Sequence, residues 1–293
     1  MNKKSITLVS NNYWTLYKFR YDIIQMIAQE GCEVNLIAKK DAYHKYFDDV
    51  NIKKHFLSIE ERGKNIIQEL RTFVSIFKLH KKIKPAIIFN FTLKPNIYSS
   101  ISSRILGIKT ISMISGLGHV FITANSILKH VIIMMLKISL KNSHEIWFTN
   151  KFDLKSFKEF GIVTHQKTQL VPGAGVKKPQ IPFTKKKFDG NITFLMISRL
   201  LKEKGVLEYI KSAEHFKKIN NIKFVLLGLH LDSSDYISKD ILDEAVKNNI
   251  IEYHPYADDV SNFFKNADCI IHPSYREGMS TILLEAASYK IPI

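Results

Sequence analysis

The residues with the most chemical content lie near the end of the chain. In PSYREGMSTILLE, residues 273–285, Glu277 is followed by Gly278, and Glu285 stands eight residues after Glu277. A turn after an apolar strand releases the first glutamate, and a helix starting near Ser280 carries the second about one turn in. Carboxylates suit sugar hydroxyls, and the free N–H groups of a helix start, just beyond Met279, suit an anion. Two glutamates at this spacing are also what an exposed helix carries, so the pair alone decides nothing. A second stretch, MISRLLKEKG at residues 196–205, ends a strand at Ser198 and places Arg199 and Lys204 in the following loop and helix start. Two cations beside a helix N-terminus can neutralise a diphosphate leaving group without a metal. Taken singly, each is an ordinary solvated charge.

These side chains need a scaffold that gathers strand ends. Short β-rich apolar runs at residues 5–10, 33–38, 54–58, 86–91, 109–114, 145–149 and 168–171 alternate with stretches of helical period at 16–29, 65–82, 96–106, 127–141 and 151–160. Runs such as AIIFNF are almost continuously apolar, as befits parallel strands covered on both faces. The alternation predicts an α/β fold with doubly wound parallel sheets. It breaks over residues 171–190, VPGAGVKKPQIPFTKKKFDG, where three prolines, three glycines and five lysines show no period and read as a linker. It resumes with NITFLMIS, KFVLLG, IIEYH and DCIIHP, with helices near 204–219, 238–248, 258–266 and 281–290. The expected organisation is two Rossmann-like domains, residues 1–175 and 191–293, joined by a linker over 176–190. A cleft would lie between them, with ligands outside the carboxyl ends of the strands. The second domain has about four strands, and the sequence stops at Ile291, Pro292 and Ile293, where another buried strand would start. Either something else completes this domain or the chain is truncated.

Composition narrows the function. The chain has 293 residues and a formal net charge of +16. Residues 1–180 hold 28 Lys+Arg and 12 Asp+Glu, whereas residues 181–293 hold 15 of each, so the whole excess sits in the first half. No apolar core of signal-peptide length precedes Ser10, and the longest unbroken apolar run, residues 131–136, is far short of a membrane span. Cys32 and Cys269 read as buried free thiols of a reducing cytoplasm. There is no G-x-G-x-x-G after the first strand of either half, no P-loop and no G-x-S-x-G. No D-x-D and no His/Cys/Asp cluster with metal-ligand spacing occurs, so no metal or other cofactor is expected. The basic charge raises nucleic acid as a partner, but lysine dominates arginine and no zinc knuckle, RNA-binding aromatic motif or arginine-rich arm accompanies it. Non-specific surface basicity is the preferred reading, with no nucleic-acid partner.

Taken together, S-R-L-x-x-x-K-G at residues 198–205, P-S-x-x-E-G-x(6)-E-A at 273–286 and PGAGV at 172–176 resemble the retaining family 4 glycosyltransferases of GT-B fold. In the first domain, YKFR at 17–20, FNFTLKPNIYSS at 89–100 and ISGLGHVF at 114–121 are similar to those transferases of the family that extend polyprenyl-diphosphate-linked sugars in capsule and O-antigen assembly. The resemblance implies that Ser198, Arg199 and Lys204 bind the donor diphosphate, with Gly278, Met279 and Ser280 at the donor helix and Glu285 on the nucleotide ribose. Glu277 would hold the transferred sugar. In the first domain it implies a loop of Ser115, Gly116 and Gly118 facing sugar and acceptor, with Arg20 and Lys94 beside it. His119 would stand against the sugar, as in many relatives, although an ordinary loop histidine is the competing account. The implied substrates are a nucleotide sugar, expected to be UDP-linked, and an undecaprenyl-diphosphate-linked saccharide. The segment SNNYWT at 10–15, where relatives carry a glycine-rich loop, has no glycine, and Lys177 stands where many relatives have Asp.

A lipid-linked acceptor lies in an anionic leaflet, which would place the protein on the inner face of the cytoplasmic membrane. The helix SILKHVIIMMLKISLK at 126–141 is apolar nearly all round, with lysines at 129, 137 and 141. It fits shallow insertion beside headgroups, or a buried helix with basic ends. Lys78, Lys81, Lys82 and Lys84 form a second basic patch, which a helix C-terminus also favours on its own account.

Overall fold

The structure, a computed structural model, describes residues 4–59, 65–116, 126–176, 190–257 and 259–293. The chain divides into two compact units, Met1–Ala174 and Gly175–Ile293. Most of the expected linker, residues 177–189 with Lys177, lies outside the described residues, as do Gly118 and His119.

The first unit is built on a seven-stranded sheet in the order β3-β2-β1-β4-β5-β6-β7, every pair parallel. Its strands are β1 (Ser5–Asn12), β2 (Glu33–Lys39), β3 (Ile52–Phe56), β4 (Ile87–Phe91), β5 (Lys109–Ile114), β6 (Glu145–Phe148) and β7 (Lys167–Leu170). Helix α1 (Tyr13–Gln29) covers one face through Tyr13, Leu16, Ile24 and Ala28, which pack with Leu8, Val34 and Leu36. Helices α2 (Ile66–Ile83), α3 (Leu93–Leu106) and α4 (Ser126–Leu140) lie against one another in that order, with α5 (Lys151–Glu159) packed beyond α4. Strand order reverses between β1 and β4, so the topological switch point, where open α/β sheets bind ligands, lies at their carboxyl ends.

Local chemistry explains where the helices start. There is no loop at SNNYWT: β1 runs to Asn12, whose side chain accepts the Thr15 N–H at 2.8 Å, and α1 begins at once. The helix starts three residues ahead of its sequence-predicted start because the asparagine cap, not the first apolar repeat, sets it. Asn65 caps α2 in the same way through the Ile67 and Gln68 N–H groups. Helix α3 starts at Leu93, so Pro95 falls in the first turn, where its missing N–H costs nothing. Its inner face is short and polar. Ser99, Ser100, Ser102 and Ser103 are buried, and Ser100 accepts from Asn90 and meets Ser112 of β5 at 3.2 Å.

The second unit has four parallel strands in the order β10-β9-β8-β11, namely β8 (Ile192–Ile197), β9 (Ile222–Leu227), β10 (Glu252–His254) and β11 (Cys269–Ile270). Helices α6 (Val206–Phe216), α7 (Lys239–Lys247), α8 (Ser261–Asn266) and α9 (Thr281–Ser288) connect or follow them. Met196, Leu226, Tyr209 and Leu242 centre one core, and Leu195, Val225, Phe264 and Ala286 the other. Beyond α9, Ile291 is buried and the Pro292 carbonyl accepts the Ile270 N–H at 2.8 Å, so the segment runs beside β11. Here the switch point lies between β8 and β11. Both cysteines are free but half-buried rather than buried.

Candidate active site

At the switch point of the second unit, the residues after β8 and after β11 come together. Two glycines set the spacing. A Cβ on Gly228, just past β9, would fall 1.7 Å from the Ser198 carbonyl oxygen, so only glycine lets that loop close onto the end of β8. Gly205 has φ +75, and a Cβ there would fall 2.3 Å from the Pro273 carbonyl oxygen. Just before Gly205 the chain makes a tight 3-10 turn, Lys202–Lys204, and α6 begins at Val206; the helix expected from residue 204 starts later because Gly205 adopts the left-handed conformation.

That contact delivers Lys204 to Glu277. Lys204 Nζ donates to Glu277 Oε1 at 2.7 Å, and His272 Nε2 lies 3.0 Å from the same oxygen. Lys204 is 17% exposed and Glu277 27%, so the pair is shielded from full solvent screening. Burial pushes the Glu277 carboxyl pKa up, but hydrogen bonds from His272 and Lys204, the lysine charge and the Ser274 hydroxyl outweigh it and hold the group at about 2. Glu277 is therefore an anion at any physiological pH.

The other residues of this end stand as follows. Ser198 is half-buried, with its hydroxyl oxygen enclosed and unpartnered. Arg199 is exposed and has no ion pair among the described residues. The Ser280 side chain does not cap α9, whose first turn follows Gly278 and the partly exposed Met279. Glu285 sits one turn into α9, half-buried. The sequence pattern places Lys204 and Glu277 at one site with separate tasks, and shows neither their direct pairing nor His272. The position of His272, two residues past β11 and next to Pro273, was the available signal.

At the switch point of the first unit, Arg20 turns inward from α1. Its guanidinium carbon lies 4.7 Å above the Phe91 ring at the end of β4, Nη2 is 2.9 Å from Met113 Sδ, and Nη1 donates to the Phe19 carbonyl at 3.1 Å. No carboxylate among the described residues neutralises it, and burial lowers its pKa to about 10. A desolvated cation without a counter-ion is costly and suits an incoming anion. Lys94, in the first turn of α3, is ion-paired to Glu69 at 2.5 Å. Thr92, just before it, has φ +71, a strained state for a β-branched residue that costs on the order of 1–3 kcal/mol. Ser115 and Gly116 follow β5 in an exposed turn, Gly116 with φ +137. Among the described residues no group of three His, Cys, Asp or Glu side chains could hold a metal.

Two family models together account for most of the chain. "Glycosyl transferase 4-like" matches residues 5–150, and "Glycosyl transferases group 1" matches residues 177–293. The chain belongs to the glycosyltransferases. This glycosyltransferase is 24% identical over 288 residues to the Campylobacter jejuni "N,N'-diacetylbacillosaminyl-diphospho-undecaprenol alpha-1,3-N-acetylgalactosaminyltransferase", covering 93% of this chain and 75% of the relative. It is 24% identical to the Escherichia coli "UDP-Gal:alpha-D-GlcNAc-diphosphoundecaprenol alpha-1,3-galactosyltransferase", over 92% of this chain and 72% of that one. Among solved structures, Anabaena Alr3699/HepE in complex with UDP and glucose aligns with a TM-score of 0.72 at 12% identity, over 99% of this chain and 79% of that one. The glycosyltransferase fold is GT-B.

Proposed function

We propose that this glycosyltransferase moves a hexose or N-acetylhexosamine from a UDP-sugar to an undecaprenyl-diphosphate-linked saccharide, with retention of configuration, in surface-polysaccharide or glycan assembly. The observation that carries the reading is the Lys204–Glu277–His272 constellation at the switch point of the second unit. Glu277, fixed as an anion, accepts hydroxyls of the transferred sugar. The remaining N–H donors of Lys204, with Arg199 and the first turn of α9, stabilise the diphosphate as it leaves, so no metal cofactor is required. Glu285 holds the ribose. The bond from the anomeric carbon to the UDP oxygen breaks and one to an acceptor hydroxyl forms on the same face. The hydroxyl proton passes to the departing phosphate oxygen.

The names of the two relatives support a lipid-diphosphate acceptor, and the HepE complex supports UDP as the donor nucleotide. The uncompensated Arg20 supports an anion at the first unit's switch point. Helix α4 buries Leu136 and Leu140 and exposes Ile127, Val131, Met134 and Ile138, a stripe at helical spacing near Lys137. That stripe supports docking to an anionic membrane surface, in keeping with a peripheral position at the cytoplasmic membrane. No helix among the described residues is long and apolar enough to cross a membrane.

The test is a screen of UDP-sugars against short-chain undecaprenyl-type diphosphate saccharides, with and without EDTA, for wild type and Lys204→Ala. Transfer that EDTA spares and that K204A loses by at least a hundredfold supports the reading. UDP binding by calorimetry without turnover on any acceptor would instead identify a nucleotide-binding remnant.

A further inference from the structure

We infer that Glu69 is a positioning residue for the acceptor's diphosphate, holding the Lys94 ammonium at the mouth of the β1/β4 switch point. The inference rests on the proposal that this end of the first unit receives the acceptor. Glu69 lies in the first turn of α2, and both of its oxygens are engaged by the first turns of α3: Lys94 Nζ donates to Oε1 at 2.5 Å and Tyr98 Oη donates to Oε2 at 2.6 Å. Lys94 and Tyr98 are four residues apart and so share one helix face. The lysine and glutamate side chains are only 15% and 19% exposed, so this is not a solvated surface pair. Burial, and the adjacent carboxylate, push the Tyr98 hydroxyl pKa well above its ordinary value, which keeps it a donor.

The bridge sits immediately past Thr92, where the backbone is held at positive φ and no side chain caps α3. One carboxylate thus bolts two crossover helices together beside the carboxyl end of β4. A lysine on a free four-carbon stem would have to give up its rotamer freedom on meeting an anion; here that freedom is already lost before binding. Glu69 orients the Lys94 ammonium through a single carboxylate oxygen, so an arriving diphosphate would meet a lysine whose direction is already set. Among the three helices of this layer, α2, α3 and α4, Glu69 is the sole Asp or Glu, so its placement opposite Lys94 is not part of a general charge pattern.

The experiment is steady-state transfer by the full chain, with a short-chain prenyl diphosphate as competitive probe, for Glu69→Gln, Glu69→Asp and Lys94→Ala, each checked by thermal unfolding. Glu69→Gln preserves shape and should raise acceptor KM and the probe's Ki about tenfold, leaving the donor KM and kcat within twofold. Glu69→Asp should recover part of the loss. A Glu69→Gln enzyme with unchanged acceptor KM, beside a K94A enzyme whose acceptor KM rises, would overturn the positioning role while leaving the acceptor assignment intact. If neither variant moves acceptor KM or Ki, the acceptor assignment itself fails. Donor KM and acceptor KM rising together in Glu69→Gln would mark a structural role only, and would also overturn the inference.

Discussion

Gly205→Ala isolates the contact on which the second unit's site depends. The added methyl would lie 2.3 Å from the Pro273 carbonyl oxygen and 2.8 Å from its carbon. Ordinary carbon–oxygen contact is nearer 3.4 Å, so the 3-10 turn and the Pro273 strand end must part by about 1 Å. A left-handed backbone costs a non-glycine residue about 1–2 kcal/mol, and overpacking against backbone adds about 1–3 kcal/mol. A total stability loss of about 2–5 kcal/mol is expected. The parting separates Lys204, one residue before the substitution, from Glu277, four residues beyond Pro273. A misplacement of about 1 Å costs about a hundredfold in rate, equivalent to about 2.7 kcal/mol of barrier. Gly31→Ala is the control, because Gly31 has φ +80 but a methyl added there would meet nothing within 4 Å. It should lose about 1–2 kcal/mol of stability and keep full activity. The assays are thermal unfolding and transfer rates at saturating and limiting UDP-sugar, below the unfolding range of each variant. A folded G205A enzyme with wild-type kcat would refute the reasoning, since the Lys204–Glu277 contact would then be dispensable or insensitive to this approach.

Three further outcomes are expected. His80 is fully buried, with Nδ1 3.0 Å from Ser102 Oγ and Nε2 unpartnered, and burial lowers its pKa to about 4. Because the folded pKa lies below the unfolded value of 6.5, its contribution is complete above about pH 6.5 and lost as pH falls toward 4. Denaturant titrations should show about 3 kcal/mol less stability at pH 4 than at pH 7 from this group, and His80→Gln should flatten that part of the profile. Arg20→Met keeps the packing on Phe91 and Met113 but removes an unpaired, desolvated cation, so acceptor KM should rise about tenfold or more while Tm holds or increases by a few degrees. Met134→Glu on the exposed stripe of α4 should weaken cosedimentation with vesicles rich in phosphatidylglycerol several-fold, without changing Tm or UDP-sugar hydrolysis.

Much of this architecture is legible from local pattern. The run at Lys109–Ile114 is bounded correctly because Ile111, Met113 and Ile114, with the β-branched Thr110, form a short β-rich stretch between Gly107 and Gly116. Asn65 announces α2 through its capping chemistry. Strand β3 is displaced by two residues from its expected start because Ile52 is its sole fully buried member and the rest reads as polar edge. The site is legible as types and spacing but not as contacts. Lys204 and Glu277 are 73 residues apart, and their pairing depends on Gly205 meeting Pro273 and Gly228 meeting Ser198, close approaches between backbones that no side-chain pattern encodes. Glu69 escapes notice for the same reason: nothing in the sequence of α2 says that its first turn faces the first turn of α3.

The 73-residue span between Lys204 and Glu277 also has a consequence during synthesis. The two side chains hang from crossovers at opposite ends of the second unit's sequence, and β9, β10 and β11 must all be threaded into place before they meet. Contacts of such long range form late, after loop-closure entropy has been met. A ribosome-bound chain that has exposed only β8 and β9 would have the lysine but no carboxylate opposite it. With UDP as the proposed donor nucleotide, retention on a UDP affinity resin would time the completion of this unit, silent until the stretch around Glu277 has emerged.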